Sequence, residues 1–164
     1  MEFVRLGEYA GPKTERLEQV AEIWRSGGFK VLTFDDIHKM VWEKLTCNVA
    51  FSGPCTLTGL TIGQVRADAS GFFFYDSWST EFYTVARAKG IASDIDDPVT
   101  YVSDFSAKIP NARPSMLLDH MAGRRCEIDV INGAIPREGA RLGVPTPVNV
   151  LVCALVRAKE TTFG

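Results

Sequence analysis

The sequence predicts a mainly α, multi-helical chain preceded by one short strand–helix–strand unit. Three observations predict it. From Asp35 onward the apolar residues recur at helical spacing, and the breaks fall at glycines and prolines. Strand-like runs occur only near the start, at Glu2–Gly7 and Phe29–Phe34. One capped helical stretch lies between them.

Glu2 to Gly7 alternates like a short strand, and Tyr9 to Pro12 breaks it. Thr14 is placed to cap a helix reaching about Arg25, with Leu17, Val20, Ala21 and Trp24 inward and Gly27-Gly28 as its stop. Phe29 to Phe34 is the second strand. One such unit cannot close a sheet alone. Residues 1–35 are therefore expected to be the tail of a larger α/β domain whose earlier part lies upstream of Met1, and residues 36–164 a helical domain.

Thr33 with Asp36 fits a capping box into a helix over Ile37–Ser52. On that helix Ile37, Met40, Val41, Leu45, Val49 and Phe51 share an arc, with Lys39, Glu43 and Thr46 on the solvated side. Lys44, Asn48 and Ser52 run i, i+4, i+8 along the middle of the apolar arc. Gly53-Pro54 is expected to end or kink it. A shorter helix follows from about Thr56 to Arg66, where Gly59 and Gly63 suggest close helix contact. Phe72 to Tyr75, Trp78, Phe82, Val85 and Ala86 form an aromatic helix ending at Gly90, suited to a core or a subunit interface. Asp97-Pro98 opens the next helix, with Val99, Val102 and Phe105 inward. After the polar loop Lys108–Pro114, Ser115 starts a helix to about Met121. A longer one is expected from Cys126 to Leu142, and a last one after Thr146 with Val148, Leu151, Val152, Leu155 and Val156 buried.

Composition narrows the partners. The chain has 164 residues, 46% hydrophobic and 23% charged, with a formal charge of −2. That balance gives no long-range attraction for nucleic acid or anionic membrane. No apolar run is long enough to span a bilayer, and the start lacks a signal-peptide pattern. Cys47, Cys55, Cys126 and Cys153 are scattered without metal-ligand spacing and read as reduced, mostly buried thiols of a cytoplasmic protein. His38 and His120 are the two histidines, too few for a histidine-rich metal site; no metal is expected. No Gly-x-Gly-x-x-Gly or Walker-type loop is present.

Two helices then carry one ionisable group each on a side that should be packed, Lys44 and Glu127. Such a pair has the means for proton transfer and for holding a polar substrate. A structural ion pair, or side chains snorkelling outward, fits the same pattern. Glu138 also falls on the inner arc. Ser115 equally suits an ordinary N-cap, Asn48 a buried amide serving a neighbouring helix, and Arg124-Arg125 either a phosphate contact or solvated surface.

At these residues the sequence resembles the ketopantoate reductase (2-dehydropantoate 2-reductase) family. The match includes Gly7-Glu8 with Gly11, Asp35-Asp36-Ile37, Trp42-x-Lys44-Leu45-x-x-Asn48 and Leu57-Thr58-Gly59. It continues through Pro114-Ser115-Met116-Leu117-x-Asp119 and Gly123-Arg124-x-x-Glu127-Ile128-Asp129-x-x-Asn132-Gly133 to Leu142-Gly143-Val144-Pro145-Thr146-Pro147-x-Asn149. The resemblance implies the helical C-terminal domain of the ketopantoate-reductase/6-phosphogluconate-dehydrogenase type, with residues 1–35 the end of an N-terminal Rossmann-type NADP-binding domain. It implies reduction of a 2-oxo acid, most directly ketopantoate to pantoate for pantothenate and coenzyme A, with NADPH bound mainly by the upstream domain. Lys44 matches the family's general acid and Glu127 its substrate-positioning glutamate; Asn48, Ser52 and Ser115 match substrate-binding positions. The isolated chain is expected to be inactive; a homodimer is one partner open to it, and the sequence does not set the oligomeric state. Two departures bear on the substrate: Ser52-Gly53 stands where many members carry Asn-Pro, and Pro136 lies inside the expected long helix. A reductase of another 2-oxo acid, or a non-catalytic helical binding or dimerisation module, are the rival readings.

Overall fold

The computed structural model describes residues 3–91 and 95–163, without the side chains of residues 69–76. The chain divides into two compact units, residues 1–43 and 44–164. Among the described residues it is a mainly helical protein, with eight helices and one two-stranded sheet.

The first unit holds β1 (Val4–Gly7), α1 (Glu15–Ser26) and β2 (Val31–Phe34). The strands pair in parallel, from Val4 opposite Val31 to Gly7 opposite Phe34. Parallel neighbours need a crossover, and α1 supplies it. Thr14 caps α1 by accepting the Leu17 N–H at 3.2 Å. Leu17 and Ala21 are buried as expected, but Val20 and Trp24 are 40% and 41% exposed, because two strands are too narrow to cover the whole helix face. Thr33 does not cap the next helix. Asp36 does, its Oδ1 accepting the N–H of His38 at 2.9 Å and of Lys39 at 3.3 Å.

That helix, α2 (Ile37–Thr58), begins in the first unit and continues into the second. It does not stop at Gly53-Pro54: Pro54 lies inside it. A proline removes one backbone bond, but every residue from Val49 to Thr56 is buried, and packing holds the helix through the defect. The left-handed Gly59 (φ +76°) then ends it. The helix expected over 56–66 is instead the short α3 (Ile62–Ala67), started by a Thr61–Gln64 capping box. Gly63 lies on that new helix and packs on another segment: a Cβ there would lie 2.8 Å from the Pro110 carbonyl oxygen.

The remaining helices are α4 (Ala69–Ala88), α5 (Pro98–Lys108), α6 (Ser115–Met121), α7 (Ala134–Leu142) and α8 (Pro147–Glu160). Trp78, Phe82, Val85 and Ala86 of α4 are buried; the side chains of Phe72–Tyr75 lie outside the described residues. Asp97 caps α5 through Val99 N–H, and Val102 is fully buried. The long helix expected from Cys126 is absent. Glu127 lies in a bend, residues 128–133 form turns and α7 starts at Ala134. Pro136 thus falls in a first turn, where an N–H has no intrahelical partner to lose, and no mid-helix kink arises.

On α8, Thr146 occupies the cap position without a side-chain bond. Glu81 of α4 does that work, accepting the N–H of Val148 at 2.8 Å and of Asn149 at 3.0 Å. The buried face is Asn149, Val152, Cys153, Val156 and Glu160, while the expected Leu151 and Leu155 are 53% and 47% exposed. No helix among the described residues is long and apolar enough to cross a membrane.

Candidate functional site

Spacing by four places Lys44, Asn48 and Ser52 in one row of α2. Asn48 and Ser52 line a cavity of about 190 Å³ in the second unit. Its apolar walls come from Phe51 of the same helix, Ile62 of α3, and Phe105 and Ile109 at the end of α5; Arg113 and Pro114 close the rim ahead of α6. Ser52 is buried, and the half-buried Asn48 amide has no hydrogen-bond partner among the described residues. Ser115 directly follows this rim. Pro114 holds the cap position of α6, so the N-cap role is not Ser115's, and its exposed hydroxyl is left over for another use.

Lys44 and Glu127 are not packed inward as their helical wheels require. Both are exposed. The closely buried run of α2 starts at Thr46, itself 1% exposed where a solvated position was expected; Lys44 lies just ahead of it. Glu127 stands in the bend ahead of the turns that lead to α7, so helical spacing does not set its direction. It does not line the cavity. No ion pair joins it to Lys44 among the described residues, which also removes the structural-pair alternative. Arg124 is held by Asp119 at 2.6 Å, a surface pair rather than an open anion site. Glu138 pairs with Lys89 at 2.8 Å.

Two polar networks were invisible to local spacing because their members are far apart in sequence. Asn132 donates to Val49 O and to Asn149 Oδ1, both at 3.1 Å, and Asn149 donates on to Glu81. Glu160 Oε1 accepts the Cys126 backbone N–H at 2.7 Å and faces His120 Nε2 at 3.1 Å. Burial pushes the Glu160 carboxyl up, yet Cys126 and His120 together hold it below its ordinary range. The ligand-type atoms of His120, Cys126 and Glu160 lie within 4.8 Å of one another, a spacing that would accept a metal ion. Burial, reinforced by Glu160, pushes the Cys126 thiol up to about 12, so with no cation beside it the group is a neutral thiol at neutral pH. Burial does the same to Cys47 and Cys55. Cys47 lines the cavity as a buried thiol.

Arg113 is the rim residue that sequence spacing missed, because it sits in an aperiodic loop. A larger cavity, about 250 Å³, lies between the end of α2 and α8, walled by Pro54, Leu57, Trp78, Leu151 and Leu155. It is nearly all apolar and contains none of the predicted site residues. The smaller cavity is the one lined by the polar side chains Asn48, Ser52 and Arg113.

Residues 36–160 match the family model described as ketopantoate reductase PanE/ApbA C terminal. A 2-dehydropantoate 2-reductase of Streptococcus pyogenes is 32% identical over 147 residues, 89% of this chain and 48% of the relative. One from Mesorhizobium japonicum is 30% identical over 97% of this chain and 48% of its own length. The chain thus spans about half the length of the curated relatives it matches. Among solved structures, a PanE/ApbA family ketopantoate reductase from Ralstonia eutropha JMP134 superposes with TM-score 0.87 at 30% identity, covering 98% of this chain and 52% of that one. A D-mandelate dehydrogenase solved with NADH and anilino(oxo)acetate superposes with TM-score 0.85 at 28% identity, covering 97% and 52%.

Proposed function

The chain belongs to the ketopantoate reductase C-terminal family, and from that premise we propose that it is the substrate-binding half of an NADPH-dependent 2-oxo acid reductase, with ketopantoate the first substrate to test. One observation carries the reading: the Lys44–Asn48–Ser52 row, whose second and third members line a small cavity beside Ser115. An α2 surface with a free amide and a hydroxyl over apolar walls suits a small oxo acid.

Lys44 is the proton donor in this proposal. A carbonyl reduced at carbon gains negative charge on oxygen, and an ammonium there both stabilises that charge and delivers the proton. Asn48, Ser52 and Ser115 hold the acid's polar atoms, and Glu127 positions its oxo and hydroxyl groups. The exposure of Lys44 and Glu127 is consistent with side chains that face a second domain in the complete enzyme. This chain's own residues do not fit a dinucleotide. Its β1–α1–β2 unit has two strands and no glycine-rich phosphate loop, so the proposal assigns NADPH to the other half of the enzyme, with residues 1–35 as the end of its Rossmann-type domain.

The test is turnover by the complete reductase containing this chain. Lys44→Ala should lower kcat by about 10²- to 10⁴-fold; an unchanged rate defeats the proposal. A second reading, reduction of a different 2-oxo acid, is favoured by Ser52-Gly53 and by the likeness to a D-mandelate dehydrogenase. Comparing kcat/KM for ketopantoate and for aryl and branched 2-oxo acids separates the two, and a strong ketopantoate preference removes the second.

A further inference from the structure

We infer that Arg113 is the carboxylate anchor of the cavity, gripping the acid end of the substrate from the rim while the rest of the molecule lies against the apolar walls. The inference rests on the proposed reading of this cavity as an oxo acid site, and it assigns a binding role to a residue outside the Lys44–Asn48–Ser52 row.

The charge is the first ground. Arg113 is the cation among the residues that line the cavity. A guanidinium offers five donors in a planar fork that matches a carboxylate two bonds at a time. Here its partner among the described residues is the Met121 thioether, Nη1 to Sδ at 3.8 Å. A thioether is a weak acceptor, easily replaced by an anion. Asp119, on the same helix as Met121, is engaged by Arg124 at 2.6 Å.

The backbone is the second ground, because it holds Arg113 in place before any ligand arrives. Ile62 N–H donates to Ala112 O at 3.1 Å, Gly63 N–H to Pro110 O at 2.8 Å, and Ala112 N–H to Ile109 O at 3.0 Å. The contact at Gly63 leaves no room for a side chain, since a Cβ would meet Pro110 at 2.8 Å. Pro114 then restricts Arg113 itself toward extended backbone. The rim is therefore clamped to α3, and the cost of ordering a loop on binding is already met.

The third ground is the rest of the cavity. Asn48 has an unpartnered amide, Ser52 a buried hydroxyl, and Phe51, Phe105 and Ile109 supply apolar wall. A ligand with one anionic end, an adjacent polar atom and a hydrocarbon body satisfies all three. A neutral oxo compound leaves the arginine unused.

The experiment compares wild type, Arg113→Ala and Arg113→Lys in two assays. In the complete reductase, Arg113→Ala should raise KM for the 2-oxo acid by roughly 10- to 100-fold with kcat nearly unchanged. It should also abolish the preference for a 2-oxo acid over the matching 2-oxo amide. Arg113→Lys, keeping the charge and losing the fork, should fall between. In the 164-residue chain, calorimetric or NMR titration with ketopantoate and with 2-oxoisovalerate should show binding that Arg113→Ala loses. Arg113 is exposed, so both variants should keep the wild-type melting temperature. An unchanged KM and an unchanged acid-over-amide preference in Arg113→Ala overturn the anchor, while a Lys44→Ala loss of turnover leaves the proposed function intact. Absence of any reductase activity beside Arg113-dependent binding does the reverse. Absence of both binding and activity removes both.

Discussion

Gly53 is a residue at which α2 leaves no room for a side chain. A Cβ there would lie 2.5 Å from Val152 Cγ1 and 3.3 Å from Asn132 Oδ1. Alanine in a helix interior normally stabilises relative to glycine by up to about 1 kcal/mol. Here the overlap should reverse the sign, and Gly53→Ala is expected to cost about 1–3 kcal/mol as an overpacked contact, read as a fall in the urea midpoint at constant slope. The two residues of the Ser52-Gly53 departure thus face different surroundings, since Ser52 lines the cavity and Gly53 packs against Val152 of α8. Glu160 makes a second prediction at this scale. Its folded carboxyl sits below the ordinary 4.5, so ionisation favours the folded state above that pH. That contribution is lost as the pH falls from about 4.5 through the lower folded value. Glu160→Gln should flatten stability over this acidic range in chemical denaturation, and an undiminished slope in the variant contradicts the assignment.

Helix ends and helix rows differ in what local sequence reveals about them. The α2 row was legible, because i, i+4, i+8 spacing is set by the helix itself, and Asn48 and Ser52 do meet at the cavity. The starts of α1, α5 and α6 were legible for the same local reason. What failed was any feature decided by a distant partner. Nothing near Thr146 reveals that Glu81 caps α8 from α4, or that burial carries α2 across Pro54. Glu127 was misplaced because its apolar neighbours mimic a helix, while Asn132 and Gly133 end a run of turns. The Glu81 cap is testable. Its carboxylate accepts two backbone N–H groups and the Asn149 amide at 2.8 Å. Glu81→Ala should destabilise by about 1–2 kcal/mol, and Glu81→Gln should recover part of that loss. Amide exchange at Val148 and Asn149 should quicken in both variants; unchanged protection there would show that another group satisfies those donors.

At the scale of the whole molecule, the proposed function predicts that binding and cofactor chemistry separate by chain segment. Every residue proposed for the oxo acid lies in residues 44–164: Lys44, Asn48 and Ser52 on α2, Ser115 on α6, and Arg113 and Glu127 in the segments between helices. The β1–α1–β2 unit is the part with the architecture of a nucleotide fold, and it stops at two parallel strands. A dinucleotide site needs a phosphate-cradling loop at a strand–helix turn, and the turn after β1, Glu8–Thr14, contains one glycine, Gly11. Exposed Trp24, Phe29 and Leu32 leave apolar surface uncovered on this unit. The expected outcome is a division of labour measurable on the chain itself. NADPH titrated into the 164-residue chain should give no fluorescence enhancement and no heat, while 2-oxo acids bind. Supplying the upstream half in trans or by fusion should restore NADPH binding, and with it Lys44-dependent reduction. Tight NADPH binding by the chain alone would mean that helices, rather than a Rossmann sheet, hold the cofactor, and the assignment of its two units would have to be exchanged.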